Sequence, residues 1–376
     1  MPLTPPNSAL AHPTLTPSHS PGVNRIRGDQ WHLRYLNVNQ AHRITRGDGS
    51  VVAVPDTGVS KHPDLHNNLL PGIDIISGGS GDGRQDLDSH GTSMAGLIAA
   101  HGQSGTEGAL GVAPGAKILP IFASPPNGDG DPDILAQGIE YAISKNVQVI
   151  SISSGGTSSA RLDRIIDRAL ASNIVVVAAA GNRPEDSRVS YPASKEGVIA
   201  VGGIDRKGKR ASIAITGPEI DVVAPAVEIY STSLDANYSR GSGTSGATAI
   251  VAGAVALIRS KYPYLPASEV AHRLTATAID KGPPGRDDEY GHGVIDLVAA
   301  LTADVPPLGF GSATASAPTP TAVTTTAVAE PADDGNIAAT ARGLVTLGVI
   351  VAAGGAWAFV ARRRRRGADP PPRISR

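Results

Sequence analysis

Between residues 50 and 300, short apolar runs alternate with longer segments of mixed polarity. The runs at 51–54, 118–122, 147–152, 174–180, 198–204 and 220–223 are β-branched and predict strands. Several carry almost no polar position, the pattern of strands covered on both faces. Segments 92–100, 133–145 and 160–172 predict helices between the strands, and 248–261 and 267–276 predict two more after them. Such alternation predicts an α/β architecture, a mainly parallel sheet in a three-layer arrangement with helices on both faces. Small residues fill 247–256, so that helix is expected to pack closely and to be buried.

The pattern changes at both ends. Residues 1–26 are rich in Pro, Ser, Thr and His and read as a flexible N-terminal arm ahead of a domain at 27–302. Residues 303–342 are a Pro/Ala/Thr-rich linker without helical or strand period. Then GLVTLGVIVAAGGAWAFVA, residues 343–361, runs without a charge. As a helix it would span roughly 28 Å, enough for a bilayer core, so it predicts a transmembrane helix with Trp357 near one interface. Arg362 to Arg366 follow at once, in a basic tail over 362–376. Arginines on that side set the C-terminus in the cytoplasm and everything before Gly343 outside. Met1 is not followed by a basic stretch and apolar run of the kind a signal peptide has, so export is expected to depend on a start site upstream. The competing arrangement is a tail-anchored protein with its domain in the cytoplasm.

Charge sharpens this division. The chain of 376 residues has a formal net charge of −1, from 33 basic and 34 acidic residues. Seven arginines and one aspartate lie in 362–376, so that tail carries 7 − 1 = +6 and the rest 26 − 33 = −7. A near-neutral chain with its excess positive charge beside an apolar run is no general nucleic-acid binder. The absence of cysteine excludes disulfides, a thiol nucleophile and Cys-ligated metal.

Four segments concentrate candidate chemistry. VVAVPDTGV puts Asp56 at the end of an apolar strand, DSHGTSMAGLIAA puts His90 just before a helix, and GSGTSGATAIVAGAVAL puts Ser245 at the start of one. Nucleophilic acyl transfer uses this set: imidazole takes the serine proton, and a carboxylate fixes the tautomer and stabilises the imidazolium. A serine at a helix N-terminus gains from the dipole, and its N–H can help to bind a developing oxyanion. VVVAAAGN ends a further strand at Asn182, whose amide can donate to the same oxyanion. Taken singly, each has a plainer use. Asp56 and Asn182 serve in turns, Ser245 as a helix cap, and histidine recurs at His62, His66 and His101.

In that order, DTGV, HGTSMAG, AAAGN and GTSGA resemble the four signatures of subtilisin-like serine proteases, or subtilases. HPDL, GVAPGAKI, YPAS, AVGGID and DVVAPAVEIYST extend the resemblance over roughly residues 27–302. The segment RGDQWHLRYLNVNQAHRITRGDG, the Pro-rich linker and the terminal anchor resemble the mycosin branch, membrane-anchored proteases associated with type VII secretion. The resemblance implies a subtilisin-like fold and a serine endopeptidase acting on polypeptides. It implies Asp56 as orienting acid, His90 as general base, Ser245 as nucleophile and Asn182 as oxyanion donor. It also implies that Ser153, Ser154, Gly155, Ala180 and Gly181 line the substrate groove. No cofactor is required. Calcium commonly stabilises the family, and the acids in 82–88 or 129–133 are candidates for it, against the plainer reading of solvated loop acids.

The chain departs from the family pattern at Pro55, where an aliphatic residue is usual, and at Ala249, where a proline is usual. Ser151 and Ser154 stand where asparagine and leucine are frequent. Three functions therefore compete: an anchored endopeptidase for exported proteins, a weak or inactive subtilase serving as a structural part of a secretion complex, and an esterase using the same triad.

Overall fold

A computed structural model describes residues 22–126 and 130–309, all within the first of two compact units, Met1–Ser312. The expected transmembrane segment, the basic tail and the linker beyond residue 309 lie outside the described residues. Three short helices come first, α1 (Val23–Asp29), α2 (Trp31–Tyr35) and α3 (Val38–Ala41). The expected arm thus ends in helix from Val23, and Ile26 is fully buried. Strands β1 (Val51–Asp56) and β2 (Ile73–Asp74) lead to α4 (His90–Ala99). Next come β3 (Lys117–Phe122), α5 (Pro132–Ser144), β4 (Val149–Ile152), α6 (Ala160–Ala171), β5 (Val175–Ala179), β6 (Ile199–Ile204) and β7 (Val222–Pro225). A hairpin of β8 (Ile229–Thr232) and β9 (Tyr238–Gly241) precedes α7 (Thr244–Lys261), α8 (Ala267–Ala276) and α9 (Leu297–Thr302).

Seven strands form one sheet in the order β2-β3-β1-β4-β5-β6-β7, and every pairing in it is parallel. Parallel neighbours need crossover helices, and these cover both faces. Helix α7 packs across β4 to β7 and against α4, whereas α5 and α6 pack on each other and against β1, β3 and β5. Accordingly β5 and β6 are buried at every position, as the unbroken apolar runs predict.

The sequence supplies the helix starts. Asp131 accepts from the N–H of Asp133 with Pro132 in the first turn of α5, and Ser159 caps α6 by accepting from Leu162. Helix α7 begins four residues earlier than its apolar pattern predicts and is buried from Thr244 to Arg259. Its alanines and glycines make the close approach feasible: a methyl on Gly253 would stand 2.7 Å from Val112 Cβ. Ala249 is fully buried here, and the helix continues through it.

Pro55 lies within β1, opposite Ile121 of β3. On the other side β1 pairs with β4 only through Val52 and Ala53, so the proline stands beyond that ladder. Its missing donor is tolerated because pairing on that side has already stopped.

Candidate active site

Asp56, Ser153 and Asn182 all lie at or just beyond the carboxyl ends of parallel strands, where open α/β sheets bind ligands. Asp56 ends β1 and His90 begins α4, 34 positions later. Nδ1 of His90 is 2.8 Å from Oδ1 of Asp56, and both side chains are about 1 % exposed. The N–H of Thr57 donates to the same oxygen at 2.8 Å. Facing a carboxylate, Nδ1 carries the proton, so Nε2 is the basic nitrogen of the neutral ring. Burial works to lower the His90 pKa, but the charge and hydrogen bond of Asp56, with Asp88 and Asp86 behind, outweigh it and leave the pKa raised.

Ser245 is the second residue of α7. Its Oγ donates to the carbonyl of Ser153 at 2.6 Å, and Ser153 Oγ donates back to the Ser245 carbonyl at 3.3 Å. Ser245 and His90 line one small pocket with Met94, Gly243 and Gly246. Asn182 is tied to the same helix start: its Oδ1 accepts from Thr244 N at 2.9 Å. With the oxygen so engaged, the amide nitrogen is the end left to serve as donor.

Of the five residues expected to line a groove, Ser153 is bonded to Ser245 and none lines the pocket of His90 and Ser245. Ser153 and Ser154 are buried, and Ala180 is fully buried with its N–H bonded to Val201 and its carbonyl to Ser190. Both backbone groups of Ala180 are therefore already bonded within the chain. Gly155 and Gly181 both face the pair Asp186 and Ser190: a methyl on Gly155 would meet Ser190 Cβ at 2.6 Å, and one on Gly181 would meet Asp186 Oδ2 at 2.6 Å. Asp186 accepts from Ser190 Oγ at 2.7 Å and from Asn182 N at 2.8 Å.

This fold and geometry agree with three comparisons. The model of the Subtilase family, Peptidase S8, matches residues 47–293. The chain is a subtilase. It is 41% identical over 267 residues to the thermostable alkaline protease of Halalkalibacterium halodurans, covering 70% of this chain and 71% of that one. It is 41% identical over 260 residues to subtilisin DY of Bacillus licheniformis, covering 68% of this chain and 92% of the relative. Among solved structures, MycP1 with its N-terminal propeptide removed superposes with a TM-score of 0.66 at 30% identity, over 73% of this chain and 98% of that one. MycP1 from Mycobacterium smegmatis gives 0.67 at 29% identity, over 79% and 89%. This subtilase is accordingly a serine-type endopeptidase, and its resemblance to mycosins extends to structure.

Three residues that support the site were not singled out by the sequence. Asp86, Thr57 and Thr244 hold the helix starts that present His90 and Ser245. Thr57 and Thr244 stand inside DTGV and GTSGA, beside Asp56 and Ser245, which was the signal available for them, whereas Asp86 had only its carboxyl chemistry ahead of a helix start. Two of the acids considered for calcium have partners within the chain. Asp86 is buried and accepts five hydrogen bonds, Asp131 caps α5, and Asp129 lies outside the described residues. Among the described residues no cluster of three or more His, Asp or Glu is arranged to hold a metal ion.

Proposed function

We propose that the chain is a membrane-anchored endopeptidase that cleaves exported polypeptides through Asp56, His90 and Ser245. The contact of His90 Nδ1 with Asp56 Oδ1 at 2.8 Å, with His90 and Ser245 lining one pocket, carries the catalytic part of this reading. Asp56 holds the imidazole and stabilises its cation. Turning about its Cα–Cβ bond, the Ser245 hydroxyl leaves the Ser153 carbonyl and gives its proton to His90 Nε2 as Oγ attacks the scissile carbonyl. His90 then returns the proton to the leaving amine, and water repeats the cycle on the acyl-enzyme. The Asn182 amide and the Ser245 N–H at the start of α7 receive the oxyanion. Ser153, Ser154, Gly155, Ala180 and Gly181 border the bound strand. No metal or organic cofactor enters these steps.

Anchoring rests on the sequence of 343–361 and the arginines after it, with the peptidase domain outside the cell and the tail inside. Among the described residues no helix is long and apolar enough to cross a membrane. A role beside a type VII secretion complex is supported by likeness to a MycP1 structure described as from the ESX-1 type VII secretion system, with a TM-score of 0.67 at 28% identity. Fractionating the full chain against a chain ended at residue 342 tests the anchor: only the full chain should stay with membranes after a carbonate wash. Panels of peptide amides and small acyl esters separate endopeptidase from esterase, and amide hydrolysis is the expected result.

A second reading has one observation in its favour, the Ser245 hydroxyl engaged by the Ser153 carbonyl. A chain held in that state would serve a secretion complex as a structural part. Full secretion in cells carrying only Ser245→Ala would establish it.

A further inference from the structure

We infer that Asp86 is a positioning residue for His90, holding the start of α4 in the one backbone conformation that lets the imidazole meet Asp56. The inference rests on the roles proposed for Asp56, His90 and Ser245.

Asp86 lies four residues before His90 and is buried. Its Oδ1 accepts from Asp88 N, Ser89 N and Thr57 Oγ1, each at 2.9 Å. Its Oδ2 accepts from Thr92 N at 2.9 Å and Thr92 Oγ1 at 2.6 Å. Five donors therefore converge on one carboxylate from both sides of His90. Ser89, directly before the histidine, has φ 91°, a left-handed conformation that a residue with a Cβ seldom adopts. Two bonds into Asp86, from Asp88 N and Ser89 N, hold that bend closed.

Asp86 also reaches the other half of the pair. The Thr57 hydroxyl has one proton; it lies 2.9 Å from Asp86 and 3.4 Å from Asp56, so the proton goes to Asp86. The Thr57 oxygen then accepts from Gly91 N at 3.0 Å. Strand end 56–57 and helix start 89–92 are thus fastened to one anion. An amide cannot replace it. Whichever way Asn is turned, its NH₂ group faces at least one backbone N–H.

The same anion adds to the field at His90. Asp56 faces the ring from β1, and Asp88 and Asp86 from the loop before α4; the pocket residues from the end of β9 through the start of α7, Gly241, Ser242, Gly243 and Ser245, carry no charge.

The test compares full-length wild type, Asp86→Asn, Thr57→Val and Thr57→Ser in peptide hydrolysis, with rates divided by active sites titrated with a fluorophosphonate. Asp86→Asn should lower kcat by about tenfold to a hundredfold, the scale of an ångström of misplacement, with KM little changed. The acid limb of its pH–rate profile should move to lower pH, because a negative charge near His90 is gone. Thr57→Val should lose part of kcat and Thr57→Ser should recover it. Asp82→Asn, a half-exposed acid of the same loop, should behave as wild type. A normalised kcat and pH profile unchanged in Asp86→Asn overturn the inference, as does wild-type kcat in Thr57→Val should Asp86→Asn fail to fold. If the wild type itself does not label at Ser245, the proposed triad fails first, which is a different result from a labelled wild type matched by its Asp86 variant.

Discussion

His90 Nδ1 stands 2.8 Å from Asp56 Oδ1, with each side chain almost wholly withdrawn from water. The pair displaces the His90 pKa upward from the ordinary 6.5. A general base must be neutral, so activity should rise with pH as His90 loses its proton. The acid limb of kcat/KM is therefore expected above pH 6.5, and a pH–rate profile reads it directly. Replacing Asp56 by Asn should remove the upward displacement and lower kcat by about 10⁴, because the amide favours the wrong tautomer.

The N–H of Thr244 fixes Asn182 Oδ1, which leaves the amide nitrogen for the proposed oxyanion. Asn182→Ala should lower kcat by about a hundredfold to a thousandfold, the loss known for such a donor in a subtilisin, with KM nearly unchanged. Steady-state kinetics on one peptide substrate checks the split.

Gly91 follows His90, and a methyl there would overlap the carbonyl oxygen of Gly58 and stand 3.2 Å from Asp56 Cβ. Gly91→Ala should destabilise by about 1–3 kcal/mol and depress kcat as the two active-site segments are pushed apart. Gly246, beside Ser245, gives the contrast: its added methyl meets only Leu97 Cδ1 at an ordinary 3.5 Å. Gly246→Ala should hold or raise the melting temperature, since alanine is the better helix former. Thermal unfolding of the two variants separates these outcomes.

His32 is fully buried in α2, and burial with Arg34 nearby pushes its pKa down to about 3. Its two ring nitrogens have no hydrogen-bond partner among the described residues. The folded state holds this ring neutral, whereas the unfolded chain takes up a proton below 6.5. Stability from this group is therefore complete above pH 6.5 and declines as pH falls toward 3, by on the order of a few kcal/mol. His90, displaced upward, contributes in the opposite sense, losing stability as pH rises through its folded pKa. His32→Leu should flatten the fall between pH 6.5 and 4 in urea titrations.

Much of this was legible in the chain. Apolar runs without alternation gave a parallel sheet because strands covered on both faces have no polar side to show. Val175–Ala179 and Ile199–Ile204 are the plainest cases. The two-residue β2 and the hairpin of β8 and β9 were missed, being too short or too polar at positions such as Ser239 and Arg240 for a period to register. Helices α1 to α3 escaped because four to seven residues cannot declare a face, and tertiary burial of Ile26, Trp31 and Val38 decides them. At the site, Asp56, His90, Ser245 and Asn182 were readable as motifs. Their supports were not read as such: Thr57 and Thr244 sit inside two of those motifs, but what they and Asp86 hold in place depends on distances that only folding sets.

Fluorophosphonate labelling tests the central claim most directly, because the probe needs a serine, a base and an oxyanion site in working order. The full-length protein should label once per chain, with the adduct mapped by mass spectrometry to Ser245, and Ser245→Ala should take up no probe while keeping the wild-type melting temperature. Labelling that persists undiminished in folded Ser245→Ala would contradict the account.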